Sequence, residues 1–205
     1  MPLQHFGREV IAHRTVRARL GSQARLLTVI ASFGGASYKA DLGASLDGAG
    51  AESKIVGLCF GDGKTLADHH TVQDHVAGHT LSDIDFRVVL GGKARSAYTG
   101  LIRIAHDAPY CEAFQENRNL LLSEQCRAES IPELEIMTDE VRCKHGATVG
   151  PIDQDQLFYL ASRGLTPADA TRMVVTGFLE ATLRHLPEGV AESLRKEMVA
   201  RVTEI

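Results

Sequence analysis

The fold is decided by the stretch Ile84-Asp85-Phe86-Arg87-Val88-Val89-Leu90-Gly91-Gly92. Its apolar side chains alternate at first with Asp85 and Arg87, which indicates a β-strand with one buried face. The glycine pair that follows is typical of a turn at the end of a strand. Short extended runs recur on both sides of this stretch, and helical periodicity is absent between residues 26 and 145. We therefore predict a mainly β fold for this part of the chain.

The predicted strands are short and regularly spaced. They cover residues 26–33, 54–60, 84–90, 101–104, 120–122, 134–137 and 141–145. Between Ile84 and Val141 we expect strands to begin about every eight to ten residues, a spacing that is typical of a sandwich, a barrel or a stacked solenoid. The aromatic content is only 5% and there is no Trp, which favours a solenoid with small inward residues. The small residues expected to stack between its turns are Ala94, Ser96, Ala113 and Ala128.

The pattern becomes helical after Gly150. Asp153 and Gln156 have the spacing of a capping box, and Ile152 and Leu157 that of a hydrophobic staple, so we predict a helix over residues 154–163 that ends at Gly164. The chain is therefore divided into a β body, residues 1–150, and a small helical domain, residues 151–205.

Two more helices are predicted in the helical domain. Thr166 and Pro167 have the residue types of an N-cap and a first helical position, and Pro187 ends the second helix. The predicted apolar face of the second helix consists of Ala170, Met173, Val174, Gly177 and Phe178. The predicted apolar face of the third helix consists of Val190, Leu194, Met198 and Val202.

Charge and composition exclude several classes of function. The formal net charge of the 205 residues is −4, which gives no electrostatic reason to bind nucleic acid or an anionic membrane. No apolar run approaches the roughly 18 residues of a spanning helix, and the N-terminus has no apolar signal core. The four cysteines are widely spaced, which is typical of free thiols in a reducing compartment. We expect a cytoplasmic protein.

The sequence contains neither a complete phosphate-binding loop nor a hydrolase nucleophile motif. The segment Gly61-Asp62-Gly63-Lys64-Thr65 resembles the end of a phosphate-binding loop, but Leu58 occupies the position of its first glycine, and no amphipathic helix follows. We interpret it as a β-turn. No Gly-x-Ser-x-Gly segment marks a hydrolase nucleophile. Nucleotide binding and hydrolysis therefore drop out as leading functions.

The densest histidine patch consists of His69, His70, His75 and His79, with Asp68 and Asp74 between them. Imidazole and carboxylate groups bind zinc or iron, so the patch is compatible with a metalloenzyme. The spacing matches no established ligand motif, however. Histidines stacked in successive turns and bonded to their neighbours explain the patch as well, and we prefer that structural interpretation.

A second candidate site lies in Val141-Arg142-Cys143-Lys144-His145-Gly146-Ala147-Thr148-Val149-Gly150. An extended run places Cys143 and His145 on the same strand face. Thiolate sulfur and imidazole nitrogen are ligands that iron, zinc and copper prefer. Because two ligands cannot complete a site, either a partner chain supplies the others or the pair is structural.

Four segments together resemble the SufB/SufD family, on its SufD-like side. They are Ser82–Ser96, Gln115–Ser123, Cys143–Gly150 and Asp155–Gly164. The resemblance implies a right-handed parallel β-helix followed by a helical domain. It also implies a non-enzymatic scaffold for iron–sulfur cluster assembly, in complex with a SufB-like paralogue and a SufC-like ABC ATPase. No stably bound cofactor is expected, only a nascent cluster at a partner interface.

The resemblance also assigns residues. His145 would face a cysteine of the SufB-like partner and hold the nascent iron–sulfur cluster transiently, with Cys143 on the same face. The helical region from 154 to 186 would bind the SufC-like ATPase. Its docking residues would be Gln156, Leu157, Phe158, Tyr159 and Arg163.

The chain departs from the family pattern at two positions. Gly146 stands where SufB-type chains carry Glu, which removes a carboxylate ligand and favours the SufD-like assignment. Cys126 stands where SufB-type chains carry a sulfur-accepting cysteine, so we consider an accessory thiol, although a buried cysteine that fills the solenoid is preferred.

The chain is also short for the family. It lacks the N-terminal helical region and the first turns of the β-helix, so we expect an N-terminally truncated β body. Two other functions stay open: a metalloenzyme that uses the histidine patch, and a structural homodimeric β-helix.

Overall fold

The computed structural model describes residues 4–7, 9–184 and 186–203. The first three residues of the predicted β body and the last two of the predicted helical domain lie outside the described residues. So does Arg8, in the N-terminal segment that has no apolar signal core. The strands are β1 Gln4–Phe6, β2 Ile11–Leu20, β3 Arg25–Gly34, β4 Ser37–Leu46, β5 Glu52–Gly61, β6 Leu66–His75, β7 Leu81–Leu90, β8 Arg95–Ile104, β9 Cys111–Leu121, β10 Arg127–Ile136 and β11 Val141–Pro151. The helices are α1 Gln154–Ser162, α2 Pro167–Leu183 and α3 Glu188–Thr203.

Successive strands alternate between two parallel sheets. The first sheet has the order β1-β3-β5-β7-β9-β11 and the second has the order β10-β8-β6-β4-β2. Each turn of the chain therefore adds one strand to each sheet, and the result is a parallel β-solenoid of about five turns. The predictions of a mainly β fold and of a solenoid followed by helices are confirmed.

The small residues expected inside the solenoid lie there, together with the larger rings of Tyr38, Phe86 and Tyr98. Ala94, Ser96 and Ala113 are buried, and Ala128 is partly buried. The interior also contains many polar side chains, which the sequence analysis did not predict. The buried polar residues on inward positions of β6 and β9 are His69, Thr71, Gln73, His75, Gln115, Asn117 and Asn119.

Several strand predictions were incomplete. Strands β1, β2, β4 and β6 were not predicted at all, and β8, β9 and β10 were predicted only over their last residues. β11 was predicted to end at His145 but continues to Pro151, paired with β9 along its whole length. Because the solenoid supplies backbone partners for every position of a strand, inward residues need not be apolar to belong to it.

The predicted turn at residues 61–65 is confirmed. β5 ends at Gly61, Gly63 has a positive φ of 62° that favours glycine, and β6 begins at Leu66. A strand, and not a helix, follows this turn, so it lacks the helix N-terminus of a phosphate-binding loop.

The first two helices begin at the predicted N-caps, but the capping box predicted between Asp153 and Gln156 does not form. Asp153 accepts a hydrogen bond from the backbone N–H of Asp155, and Thr166 accepts one from that of Asp169. Gly164, with a φ of 90°, follows the C-cap of α1. No helix of the described residues is long and apolar enough to cross a bilayer.

The helices cover the outer face of the first sheet and share a hydrophobic core with it. Val175 and Leu179 of α2 and Leu194 of α3 lie in the same buried cluster as Val56 of β5 and Val89 of β7. The apolar face predicted for α2 was wrong in part. Met173 is 52% exposed, and the buried residues of this helix are Ala170, Val175, Leu179, Thr182 and Leu183. The predicted face of α3 is buried at Leu194, Met198 and Val202 and partly buried at Val190.

Candidate functional site at the last turn of the solenoid

The last strand of the first sheet, β11, carries both Cys143 and His145. It pairs in parallel with β9, with Cys143 opposite Ala113 and His145 opposite Gln115. No strand of the described residues pairs with the other edge of β11. A row of backbone N–H and C=O groups is therefore open to pairing with another chain.

The two candidate ligands lie in different environments. His145 is exposed, and neither of its ring nitrogens has a hydrogen-bond partner among the described residues. Cys143 is partly buried and packs against a buried apolar cluster that includes Ile104, Cys111 and Ala113. Burial, and to a smaller extent the nearby Cys111, raises the pKa of the Cys143 thiol. Cys143 must therefore lose a proton before its sulfur can bind a metal.

The chemistry of this face is that of an incomplete metal site. An exposed imidazole and a thiol two residues apart can provide two borderline or soft ligands. Within the part of the chain that the structure describes, no group of three or more His, Cys, Asp or Glu side chains is arranged to hold a metal ion. A site on β11 would need its other ligands from a second chain.

Cys126 is not brought together with Cys143 and His145. It lies in the turn before β10 and is fully buried with Cys59, Val88 and Leu90, in a cluster separate from that of Cys143. Its thiol contacts the carbonyl oxygens of Ser123 at 3.0 Å and Leu90 at 3.4 Å. This position agrees with the preferred interpretation of a cysteine that fills the solenoid, and the accessory thiol role stays a prediction.

The histidine patch does not form one site. His69, His70 and His75 lie on β6 alone, not in successive turns, so that part of the structural interpretation was wrong. His69 and His75 point into the interior, whereas His70 is partly exposed and 2.9 Å from a carboxylate oxygen of Asp68. His79 lies in the following turn with a φ of 57°, and its ring packs on Tyr110.

The two buried histidines are held as neutral groups. His75 forms hydrogen bonds with Thr80 Oγ1 at 2.7 Å and Ser82 Oγ at 2.8 Å, so both of its nitrogens are used. His69 packs between the rings of Tyr38 and Phe86. Burial lowers the pKa of each histidine to about 4. The metalloenzyme alternative therefore has no assembled ligand set in the described residues.

The predicted docking helix presents a largely exposed surface. Phe158 is 76% exposed and Tyr159 is 56% exposed, and the Arg163 guanidinium lies 5.2 Å from the centre of the Tyr159 ring. Gln156 is exposed as well, whereas Leu157 is partly buried against the shared core. A shallow apolar groove between α1 and α2 is lined by Asp155, Gln156, Tyr159, Leu160, Met173 and Val174.

Sequence reasoning missed the polar residues beneath the site. Gln115, Asn117 and Asn119 alternate along β9 and face the interior directly below β11. Asn119 donates from Nδ2 to the carbonyl oxygen of Thr148 at 3.1 Å and so fixes the last strand. The signal was present in the segment Gln115-Glu116-Asn117-Arg118-Asn119, in which carboxamides alternate with charged residues at strand spacing.

Comparison with known proteins points to one family. Residues 1–178 match the family model described as "SUF system FeS cluster assembly, SufBD core domain". The chain is 32% identical to the iron-sulfur cluster assembly protein SufD of Escherichia coli, over 82% of this chain and 39% of that protein. It is 35% identical to a SufBD family protein of Mycobacterium tuberculosis, over 78% of this chain and 43% of that protein. The matched part thus spans less than half the length of these relatives.

Proposed function

Because the chain belongs to the SufBD family, we propose that it is a non-enzymatic scaffold subunit for iron–sulfur cluster assembly. The observation that carries this proposal is the exposed, unbonded imidazole of His145 on a strand whose outer edge is unpaired. A ligand in this position is accessible to a second chain and to the cluster that the two chains would share. The cluster is cargo in this proposal, and not a resident cofactor.

The open edge of β11 is where the proposal places a SufB-like paralogue. An incoming strand would satisfy the free backbone groups, and it would bring its own side chains next to His145. His145 would contribute one ligand to the nascent cluster, opposite a cysteine of the partner. Cys143 would take part only after deprotonation, since burial raises its pKa.

The exposed side of α1 is where the proposal places a SufC-like ABC ATPase. Phe158, Tyr159 and Met173 are each more than half exposed, although large apolar side chains are usually buried. Aromatic side chains are enriched at the centres of protein interfaces. ATP hydrolysis would belong to this partner, and the cytoplasmic location stays a prediction.

The test is a reconstitution of the complex with SufB-like and SufC-like partners under anaerobic conditions. We expect His145→Ala to lower the yield of assembled cluster several-fold, because the shared site loses a ligand, while the chain still folds and still co-purifies with both partners. His106→Ala is the matched control, since this side chain is exposed on a turn and bonds only to Asp107. A normal cluster yield with His145→Ala would contradict the proposal.

The same preparation separates the structural homodimer from the scaffold. If the chain is a scaffold subunit, any homodimer should dissociate and form a complex with the SufB-like partner when that partner is added. Sedimentation measures this change. A chain that stays a homodimer and captures neither partner would support the structural alternative.

A further inference from the structure

The carboxamide of Gln115 lies directly below His145 in the stack of strands. Gln115 is on β9, His145 is on β11, and the two residues are register partners in a parallel pair. Register partners in a sheet point to the same face, with backbones about 4.8 Å apart. Their side chains are therefore neighbours on the inward side of the last turn.

The orientation of this carboxamide is fixed from below. Gln115 is only 3% exposed, and its Nε2 donates to the carbonyl oxygen of Gly100 at 3.2 Å. Gly100 leaves just enough room for it, because a Cβ at that position would lie 2.5 Å from Gln115 Nε2 and 2.5 Å from the Tyr98 hydroxyl. Since a carbonyl oxygen can only accept, the nitrogen of the amide must face Gly100.

The other end of the carboxamide is an unused acceptor. Gln115 Oε1 is buried and has no hydrogen-bond partner, a condition that costs stability when it persists. Asn117, two positions along β9, has an unpartnered Nδ2 but forms no hydrogen bond with Gln115. The donor directly opposite Gln115 on this face of the strand pair is the ring N–H of His145, whose two nitrogens have no partner among the described residues.

We infer that Gln115 is a positioning residue for His145. A neutral imidazole carries a proton on one nitrogen and a free lone pair on the other. When Gln115 Oε1 accepts from the protonated nitrogen, the tautomer is set and the lone pair of the other nitrogen points away from the interior. Metal-binding histidines are commonly oriented by such an acceptor on their second nitrogen. The inference rests on the proposed role of His145 as a ligand to the cluster.

The test is the tautomer of His145 in the isolated full chain, read from long-range ¹H–¹⁵N correlations of the imidazole at a pH where the ring is neutral. We expect one tautomer to dominate. Gln115→Met keeps the side-chain volume but cannot accept at this position, so the tautomer ratio should move roughly fivefold toward that of a free imidazole. An unchanged ratio in Gln115→Met would overturn the inference.

Two further variants separate positioning from packing. Gln73→Leu removes another buried carboxamide with unpartnered atoms, but Gln73 lies on β6 and has no register relation to β11. It should leave the tautomer ratio unchanged, and an equal effect would overturn the inference. In its protonated form Gln115→Glu can donate to the Gly100 carbonyl and still present an acceptor to His145. It should keep the wild-type tautomer, which decides the question if Gln115→Met does not fold. A shift toward the free imidazole ratio in Gln115→Glu would count against the inference.

This readout needs neither partner nor cluster. A fixed tautomer together with a normal cluster yield in His145→Ala would contradict the proposed function alone. A free tautomer together with a lost cluster yield would contradict the positioning role alone.

Discussion

Arg87 donates from Nη1 to the carbonyl oxygen of Phe178 at 3.0 Å, and this bond joins the outer face of β7 to α2. The Arg87 guanidinium also lies 5.2 Å from the centre of the Phe178 ring. Next to it, Asp85 accepts a hydrogen bond from the Thr182 hydroxyl at 2.6 Å. An arginine and an aspartate from one strand thus anchor the helical layer through polar contacts that are largely shielded from water.

Arg87 Nε lies 3.6 Å from a carboxylate oxygen of Asp85, and both side chains are largely buried. We expect Arg87→Ala to lower the free energy of unfolding by about 2–3 kcal/mol, because it leaves Asp85 without its cation beneath the helix. Urea denaturation measures the change. Arg19→Ala is the control, since the Arg19 side chain is 83% exposed and its ion pair with Asp47 is on the surface. Its cost should stay below about 1 kcal/mol. If both variants lower the free energy of unfolding equally, the contacts of Arg87 with α2 do not stabilise the protein more than a surface ion pair does.

The buried histidines predict a loss of stability in mild acid. The folded-state pKa of both His69 and His75 is lowered to about 4 by burial, whereas an unfolded histidine titrates near about 6.5. The unfolded chain therefore takes up protons first as the pH falls. The stabilisation is fully present above about pH 6.5 and is lost between there and about pH 4.

His69→Phe should remove part of this pH dependence. Each buried histidine accounts for about 2 kcal/mol between about pH 7 and about pH 5. Phenylalanine keeps a ring between Tyr38 and Phe86 but has no proton to bind. Urea denaturation at the two pH values gives the comparison, with the exposed His106→Gln as a control. The prediction is wrong if His69→Phe is as sensitive to acid as the unaltered chain.

The four thiols should differ sharply in reactivity. Cys59, Cys111 and Cys126 are buried, and only Cys143 is partly exposed. In the native chain a thiol reagent such as DTNB should therefore modify one cysteine promptly and the others only on unfolding. The prompt reaction should be slower than that of free cysteine and should speed up with rising pH, because the pKa of Cys143 is raised. Cys143→Ser should abolish it. Prompt labelling that survives in Cys143→Ser and disappears in Cys126→Ser would reverse the assignment.

Substitutions of two neighbouring residues of α1 should have different effects, one on the stability of the fold and the other on binding of the proposed ATPase. Leu157 packs against the shared core, whereas Phe158 is exposed. Leu157→Ala should lower the free energy of unfolding by about 1–2 kcal/mol. Phe158→Ala should leave it within about 0.5 kcal/mol but weaken capture of the SufC-like ATPase by tenfold or more. Thermal unfolding and a binding titration measure the two effects, and undiminished binding by Phe158→Ala would remove this residue from the docking surface.

The features that could be predicted from the sequence are those encoded locally. The caps at Asp153 and Thr166 and the glycine at 164 determine the helix ends through bonds within a few residues, and the structure has them where the sequence places them. The face of α2 depends instead on which side meets the sheet. Met173 was therefore assigned to the core although it is exposed.

Of the strands that escaped prediction, β6 has a polar interior, whereas the inward residues of β4, such as Tyr38 and Leu42, are apolar and alternate with outward polar residues. On β6 the inward positions include His69, Gln73 and His75, so the alternation that marks β7 is absent. In a solenoid, backbone pairing with the strands above and below stabilises such a strand regardless of its side chains. The same reason explains why Gln115 was not recognised below His145: a polar residue in a sequence is usually interpreted as exposed, and here it is buried.

The helices and the first sheet share one hydrophobic core, so neither layer can move without repacking the other. Val175 and Leu179 of α2 are packed against residues of β5 and β7, and the register of strand pairing continues from β7 through β9 to β11. A displacement of the helices would therefore have to be accommodated by strands that are paired one after another up to the strand that carries His145.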